Sequence, residues 1–315
     1  MKAPSYTTLC SILWVVSSML MMSSCNDSEH SLIPASDTSI QDSVKQQRQL
    51  PEDFKSYWYS GKAEITSFKL MQERYGELRE GTATTIFVTE DFLPDAQVKA
   101  NTQSGDNTSV LKLNSVKKFT TGIYPYSIMT STFNPIQAQQ HPLKITHSVQ
   151  EWCGQSYMQL NNREAFKIQS HSYFEGEADQ SLSLSKTWLE DELWNRIRIN
   201  PEELPTGAIQ LIPSFEYIRL RHTKIKAYPA MVNLKQGDSL SMYSVMYPEL
   251  ERELIIYFKS TFPYEIEKWS VTNGTHPNDS TRLKTTAEKM KRIRIDYWNK
   301  NKTVDERLRD SLQLN

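Results

Sequence analysis

The densest run of groups able to do chemistry is His171-Ser172-Tyr173-Phe174-Glu175-Gly176-Glu177-Ala178-Asp179. Side chains alternate between faces along an extended chain, so Glu175, Glu177 and Asp179 would project together if a strand ran through them. Three carboxylates on one face could hold a hard cation, or share general acid and base work beside His171. Gly176 interrupts that strand, however, and an acidic run is ordinarily a solvated turn. A second cluster, Lys289, Lys291, Arg292 and Arg294, could meet anionic lipid headgroups, each contact being worth about 1 kcal/mol at a membrane surface. Its plainer reading is the exposed face of an edge strand, where lysines discourage aggregation. The other histidines of the body, His141, His147, His222 and His276, have no ligand spacing with one another. There is no phosphate-cradling glycine loop, HExxH, CxxC or GxSxG, so no metal, no cofactor and no catalytic residue is assigned.

Of the 3 cysteines, Cys25 has the most informative surroundings. Lys2 supplies a positive start, and an apolar segment follows from Leu9 to Met22. It is too short to span a bilayer as a permanent helix but suits a secretory signal core. It closes on Met22-Ser23-Ser24-Cys25, which resembles the lipobox of bacterial lipoproteins: an aliphatic residue and two small ones before a cysteine. Met22 stands where leucine is usual. The resemblance implies cleavage of a signal peptide at residues 1–24 and acylation of the Cys25 thiol, several acyl chains giving a stable membrane anchor. Cys10 would leave with that peptide, so Cys153 has no disulfide partner. A nucleophilic Cys153 would need a neighbouring base, and a buried, inert thiol is the default. Asn26 after the cysteine resembles lipoproteins sorted to the outer membrane, and Asp27 and Glu29 resemble a sparse surface-export signal. The expected location is the cell envelope, lipid-anchored at the outer membrane.

These groups must be positioned by a body of ordinary composition, 38% hydrophobic and 23% charged. The formal charge is −1 for the whole chain and −2 once Lys2, the only charged residue of 1–24, is removed. That near-neutrality offers nucleic acid no electrostatic footing. Residues 25–50 are polar and read as a flexible tether. From Pro51 the chain alternates in short apolar and polar runs: Ala63–Gln72, Gly81–Glu90, Val110–Phe119, Tyr124–Phe133, Leu143–Trp152, Tyr157–Leu160 and Ala165–Phe174. Short turns between them predict antiparallel pairing. A helical insert is expected at about 185–204, opened by a capping box of Thr187 and Glu190 and carrying Leu189, Leu193 and Ile197. A second series covers Phe215–Arg221, Lys224–Leu234, Leu240–Tyr247, Glu253–Phe258, Tyr264–Val271 and Arg282–Trp298. A short helix from Thr303, with Leu308 and Leu312 one turn apart, closes the chain. The expectation is mainly β: one single domain over 51–315, an antiparallel, strongly curved sheet or incomplete barrel with a helical insert and a short C-terminal helix.

Tyr57-Trp58-Tyr59-Ser60-Gly61-Lys62-Ala63-Glu64, Glu73-Arg74-Tyr75-Gly76-Glu77 and Glu151-Trp152-Cys153-Gly154 resemble an uncharacterised family of Gram-negative envelope lipoproteins, over most of the body from Pro51. Its members often carry the automatic name "septum formation inhibitor Maf". Maf proteins resemble cytoplasmic nucleotide pyrophosphatases with an N-terminal Ser-x-Ser-x-Arg motif, which this chain lacks; the resemblance therefore transfers no functional residue. The leading expectation is a non-enzymatic binding module for a lipid, a glycan or a partner protein in the concavity of the sheet. The alternatives are an exported hydrolase using Glu175, Glu177 and Asp179, and a structural subunit of an outer-membrane complex. An apolar, dry concavity favours the binder, carboxylates converging with His171 the enzyme.

Overall fold

A computed structural model describes residues 48–274 and 283–314. The signal peptide assigned to 1–24, Cys25 and all but the last three residues of the tether lie outside the described residues, as does His276.

The first hairpin shows why the chain pairs as it does. β1 (Ala63–Arg74) and β2 (Glu77–Leu93) are joined by Tyr75-Gly76, at φ 56° and 73°. Two consecutive left-handed residues give the turn whose twist matches paired strands. β3 (Val98–Lys99) is a short addition to β2, and β4 (Thr108–Thr121) lies along the other edge of β2. That approach is close at Gly81, where a Cβ would stand 2.2 Å from the Lys118 carbonyl oxygen. The meander continues through β5 (Tyr124–Pro135), β6 (Lys144–Glu151), β7 (Gly154–Asn162), β8 (Phe166–Ser172) and β9 (Gln180–Leu184). After β10 (Trp188–Leu189), α2 and β11 (Gly207–Ile212), the second series is β12 (Tyr228–Lys235), β13 (Leu240–Tyr247), β14 (Arg252–Lys259), β15 (Ile266–Thr272) and β16 (Lys284–Ile295). The helices are α1 (Glu52–Trp58), α2 (Glu190–Ile199), α3 (Phe215–Arg221) and α4 (Arg307–Ser311).

The 16 strands among the described residues belong to one sheet. From edge to edge it runs β10 to β16, then β1, β2 and β4 to β9, with β3 on β2. Pairing is antiparallel except at β10–β11. The sheet is not closed into a barrel, yet its edge strands β9 and β10 are separated by only residues 185–187. Extended chain covers at most about 3.6 Å per residue, so no more than roughly 14 Å separates the two edges where the chain joins them. The sheet must curl back on itself, as an incomplete barrel. The described residues form one compact unit.

α2 occupies the inside of that curl. It touches β4 and β5 through Asn195, whose Nδ2 donates to the Leu111 carbonyl (3.0 Å) and the Thr132 carbonyl (3.2 Å). It meets β15 through Trp194, edge-on to Trp269 at 5.2 Å. It meets β1 through Arg198, which donates to both oxygens of Glu64 at 2.6 and 2.7 Å. Nine of its 10 residues are buried, the charged ones included. A helix enclosed by strands has no solvated face, so each charge it carries needs an internal partner. α1 caps one end of the curl with Phe54 and Trp58, Trp58 lying under the Arg198 guanidinium at 4.9 Å.

Several expectations change. Residues 215–221 are a helix, not a strand: Ser214 caps it by accepting from the Tyr217 N–H at 3.3 Å, and Phe215 and Ile218, at helical spacing, enter the core. α2 starts at Glu190, where the Glu192 carboxylate accepts from the Leu189 N–H at 3.1 Å; Thr187 donates instead to the Gln210 carbonyl at 2.7 Å. β16 is interior, between β15 and β1, so its basic stripe is not an edge-strand face. Arg292 reaches Glu265 at 2.8 Å and Glu267 at 3.2 Å, and Lys289 pairs with Glu267. Arg294 lies 3.6 Å over the Tyr57 ring, while Ile293 and Ile295 are only half-buried. Cys153 is exposed rather than buried, in the two-residue turn between β6 and β7, and the neighbouring Glu151 carboxylate pushes its pKa up.

Candidate functional site

The acidic trio does not share a face. Glu175 is exposed. Glu177 folds back under α3, accepting from the Ser172 hydroxyl, lying 2.7 Å from His222 Nδ1 and 3.6 Å from Arg219. Asp179 points away to His171, 3.3 Å distant, where both side chains are solvated. Ala178, at φ 49°, turns the backbone between them. The outer two members fit a solvated turn; Glu177 instead ties the β8–β9 connection to α3. Among the described residues no group of three or more His, Cys, Asp or Glu is placed to hold a metal ion.

The site with more to offer lies inside the curl. A cavity of about 80 Å³ sits between the first turns of α2, α3, and strands β1, β4, β5, β14, β15 and β16. At 10–15 Å³ for each water, it has room for roughly five to eight waters. Its apolar side is made by Trp194, Trp269, Leu113, Leu220, Leu254 and Val271. Its mouth lies at the β1–β2 turn end of the sheet, where the lining residues Glu73, Arg74 and Arg221 reach solvent.

The polar side is built from charges whose partners come from distant elements. Glu190, first in α2, receives both Nη atoms of Arg252 on β14, at 2.5 and 2.7 Å, and the Tyr247 hydroxyl at 2.9 Å. Arg252 in turn lies 4.6 Å over the Tyr217 ring. Lys117 on β4 donates to Glu216 on α3 at 2.7 Å. Glu73 at the mouth pairs with Arg221. The Glu190–Arg252 and Lys117–Glu216 pairs are largely desolvated, so removing one partner would leave an uncompensated charge.

Asp191 is different. Its Oδ2 accepts from the Phe215 N–H at 3.1 Å, and no cation is paired with it among the described residues, although the side chain is only 8% exposed. Burial raises its pKa, the Phe215 N–H opposes that, Glu190 and Glu216 add to it and Arg252 opposes, leaving the carboxyl at about 7. Close by, His147 on β6 is fully buried with Nδ1 2.8 Å from the Thr130 hydroxyl. Burial, then Lys117 and Arg219, depress its pKa to about 3, so the ring is neutral. Asp191 thus lines the cavity with a carboxyl that changes charge near neutral pH.

At the far end of α2, Glu64 shows the opposite balance. Burial would raise its pKa, but Arg198 and Arg292 hold it down at about 2. This ion pair lies away from the cavity and fixes where the helix sits along the curl.

Neither Asp191 nor its surroundings stand out in the sequence. The one local hint is that α2 carries charges on several faces (Glu190, Asp191, Glu192, Arg196, Arg198) although sheets flank it in the chain. A helix with that pattern must find its partners inside. Which residues supply them is decided by strands far apart in sequence.

No family model matches the chain, and no curated protein matches it. It is similar to a solved structure described as a β-barrel-like protein of a domain of unknown function, DUF1849, from Brucella abortus. The identity is 8% and the TM-score 0.43, over 74% of this chain and 97% of that one.

Proposed function

We propose that this chain is a non-enzymatic binding module of the cell envelope, held at a membrane through acylated Cys25, and that it takes a small polar ligand into the cavity at the start of α2. The observation that carries this reading is the make-up of that cavity: two tryptophans on one side and charges already engaged on the other, in room for a few waters. Glycan-binding clefts need an aromatic platform and fixed hydrogen-bonding groups, and both are present here. An acyl chain would need a long, dry channel, but the core of the curl is filled by α2, Phe68, Phe87 and Tyr243. The hydrolase reading has less support, because Glu175, Glu177 and Asp179 point in different directions.

Partner-protein binding is favoured by a separate observation. Tyr75, Ile123, Trp152 and Tyr173 are 57%, 81%, 68% and 75% exposed, and all sit in turns at the mouth end of the sheet. Apolar side chains grouped at one end mark a contact surface.

The anchor is tested by Cys25→Ser, which should move the protein from the detergent phase to the soluble fraction. Full retention in detergent would refute the anchor. The ligand is tested by native mass spectrometry of the protein extracted from its own membrane. A bound polar species supports the cavity reading; a bound long-chain hydrocarbon overturns it.

A further inference from the structure

We infer that the cavity is built for a ligand carrying an ammonium group on a compact hydroxylated body, an amino sugar in chemical class, with Asp191 as the carboxylate that receives the charge. The inference rests on reading the cavity as a ligand site, and deepens it.

The carboxyl groups lining the cavity are Glu73, Glu190, Asp191 and Glu216, and the cations are Arg74, Lys117, Arg221 and Arg252. Arg221 holds Glu73, and Arg74 is taken up by the Leu220 carbonyl and the Tyr75 and Tyr126 hydroxyls. Glu190 is saturated by Arg252 and Tyr247, and Glu216 holds Lys117. That leaves Asp191 with a single backbone N–H. An ionised carboxylate has about four acceptor positions, so most of this group's capacity is unused at a site where desolvation makes unused capacity expensive. An anionic ligand would meet cations that are already engaged, and a carboxylate that repels it. A neutral ligand would leave Asp191 either ionised without a counter-charge or obliged to keep its proton. A ligand cation gives Asp191 the direct counter-charge that each of the other lining carboxylates already has.

The walls fit the same group. Trp194 and Trp269 both line the cavity, and an indole face attracts a desolvated ammonium. The positive end of α2 points into the site and works against a cation; Glu190 and Glu192 in the same turn offset it. Ser115, Thr130 and Thr132, also lining the cavity, offer hydroxyls for the polar body of the ligand. The charged groups facing Asp191 are therefore Glu190 from its own helix, Glu216 from α3, Arg252 from β14 and Lys117 from β4.

The test compares two sugars of one shape, D-glucosamine and D-glucose, against the folded protein at neutral pH, where the amino sugar still carries its ammonium charge. Binding is read from the indole N–H NMR signals of Trp194 and Trp269, assigned by Trp→Phe variants. Glucosamine should bind at least roughly tenfold more tightly than glucose, as expected when a ligand charge meets a buried opposite charge. In Asp191→Asn that preference should vanish while the chain stays folded, as judged by an unchanged spectrum of signals remote from the cavity. Equal binding of the two sugars to the natural chain overturns the ammonium inference and leaves the cavity reading standing. A preference that survives Asp191→Asn overturns the assignment of Asp191. Absence of any indole shift with either sugar overturns both the inference and the cavity reading.

Discussion

Asp191 should cost the folded protein stability above neutral pH, and Asp191→Asn should recover it. In the folded state its carboxyl has a pKa of about 7, against an ordinary value of 3.8. Between those values the folded chain keeps a proton that the unfolded chain has released, so stability falls as pH rises through that window. Each unit corresponds to about 1.36 kcal/mol. Between pH 4.5 and pH 8, roughly 2.4 units of that effect develop, or about 3 kcal/mol. Glu64 acts with the opposite sign. Its pKa is lowered from 4.5 to about 2, so its contribution is present above the higher value and is lost as pH falls toward the lower. That contribution is common to both proteins and cancels in their difference. The measurement is urea unfolding of the natural chain and of Asp191→Asn at several pH values from 4.5 to 8, each fitted for the free energy of unfolding. The gap should move in favour of the Asn variant by about 3 kcal/mol across the series. The absolute gap also contains the hydrogen bonding of the new amide, so only its change with pH is diagnostic. A gap that does not change with pH would show that Asp191 is ordinarily acidic, and therefore better solvated or better paired than its surroundings indicate. Combined with lost discrimination between sugars, the stabilised variant would mark Asp191 as a group whose contribution lies in binding rather than in folding.

Arg198→Met should destabilise the protein by about 3–5 kcal/mol, because it removes the cation that donates to both oxygens of buried Glu64 and leaves it only the more distant Arg292. Adding Glu64→Gln should restore a substantial part of that loss in the same unfolding assay; a double variant as unstable as the single one would mean that packing, not charge, dominates there. A chain ended after Ser280 lacks β16, which lies between β15 and β1. It should aggregate or show no cooperative melt, whereas an unchanged melting temperature would mean the sheet can close over a missing interior strand.

How much of this was legible beforehand depends on the range over which each property is set. The period-two patterns of β12 and β14, whose residues alternate between buried and less buried along the strand, are local, and they identified strands from side chains a few residues apart. The turn at Tyr75-Gly76 and the existence of α2 were local in the same sense. The helix at 215–221 was not: it is 7 residues long, too short for a period of 3.6 to separate from a period of 2 in the run Phe215-Glu216-Tyr217-Ile218. The basic stripe of β16 failed for another reason. Strand identity is local, but position in the sheet depends on the partner, and β1, which covers one edge of β16, comes from the other end of the body. The cavity belongs wholly to this long-range class. Asp191 is one of three consecutive acids, Glu190, Asp191 and Glu192, and nothing in the chain tells them apart. The curl of the sheet delivers Arg252 to the first and brings His141 to the third, which also pairs with Arg196 one turn along its own helix, and leaves the second without a paired cation among the described residues. A carboxyl's acidity follows from what surrounds it after water is excluded. Sequence determined that the charges are there; only the closed geometry decided which of them is left unpaired.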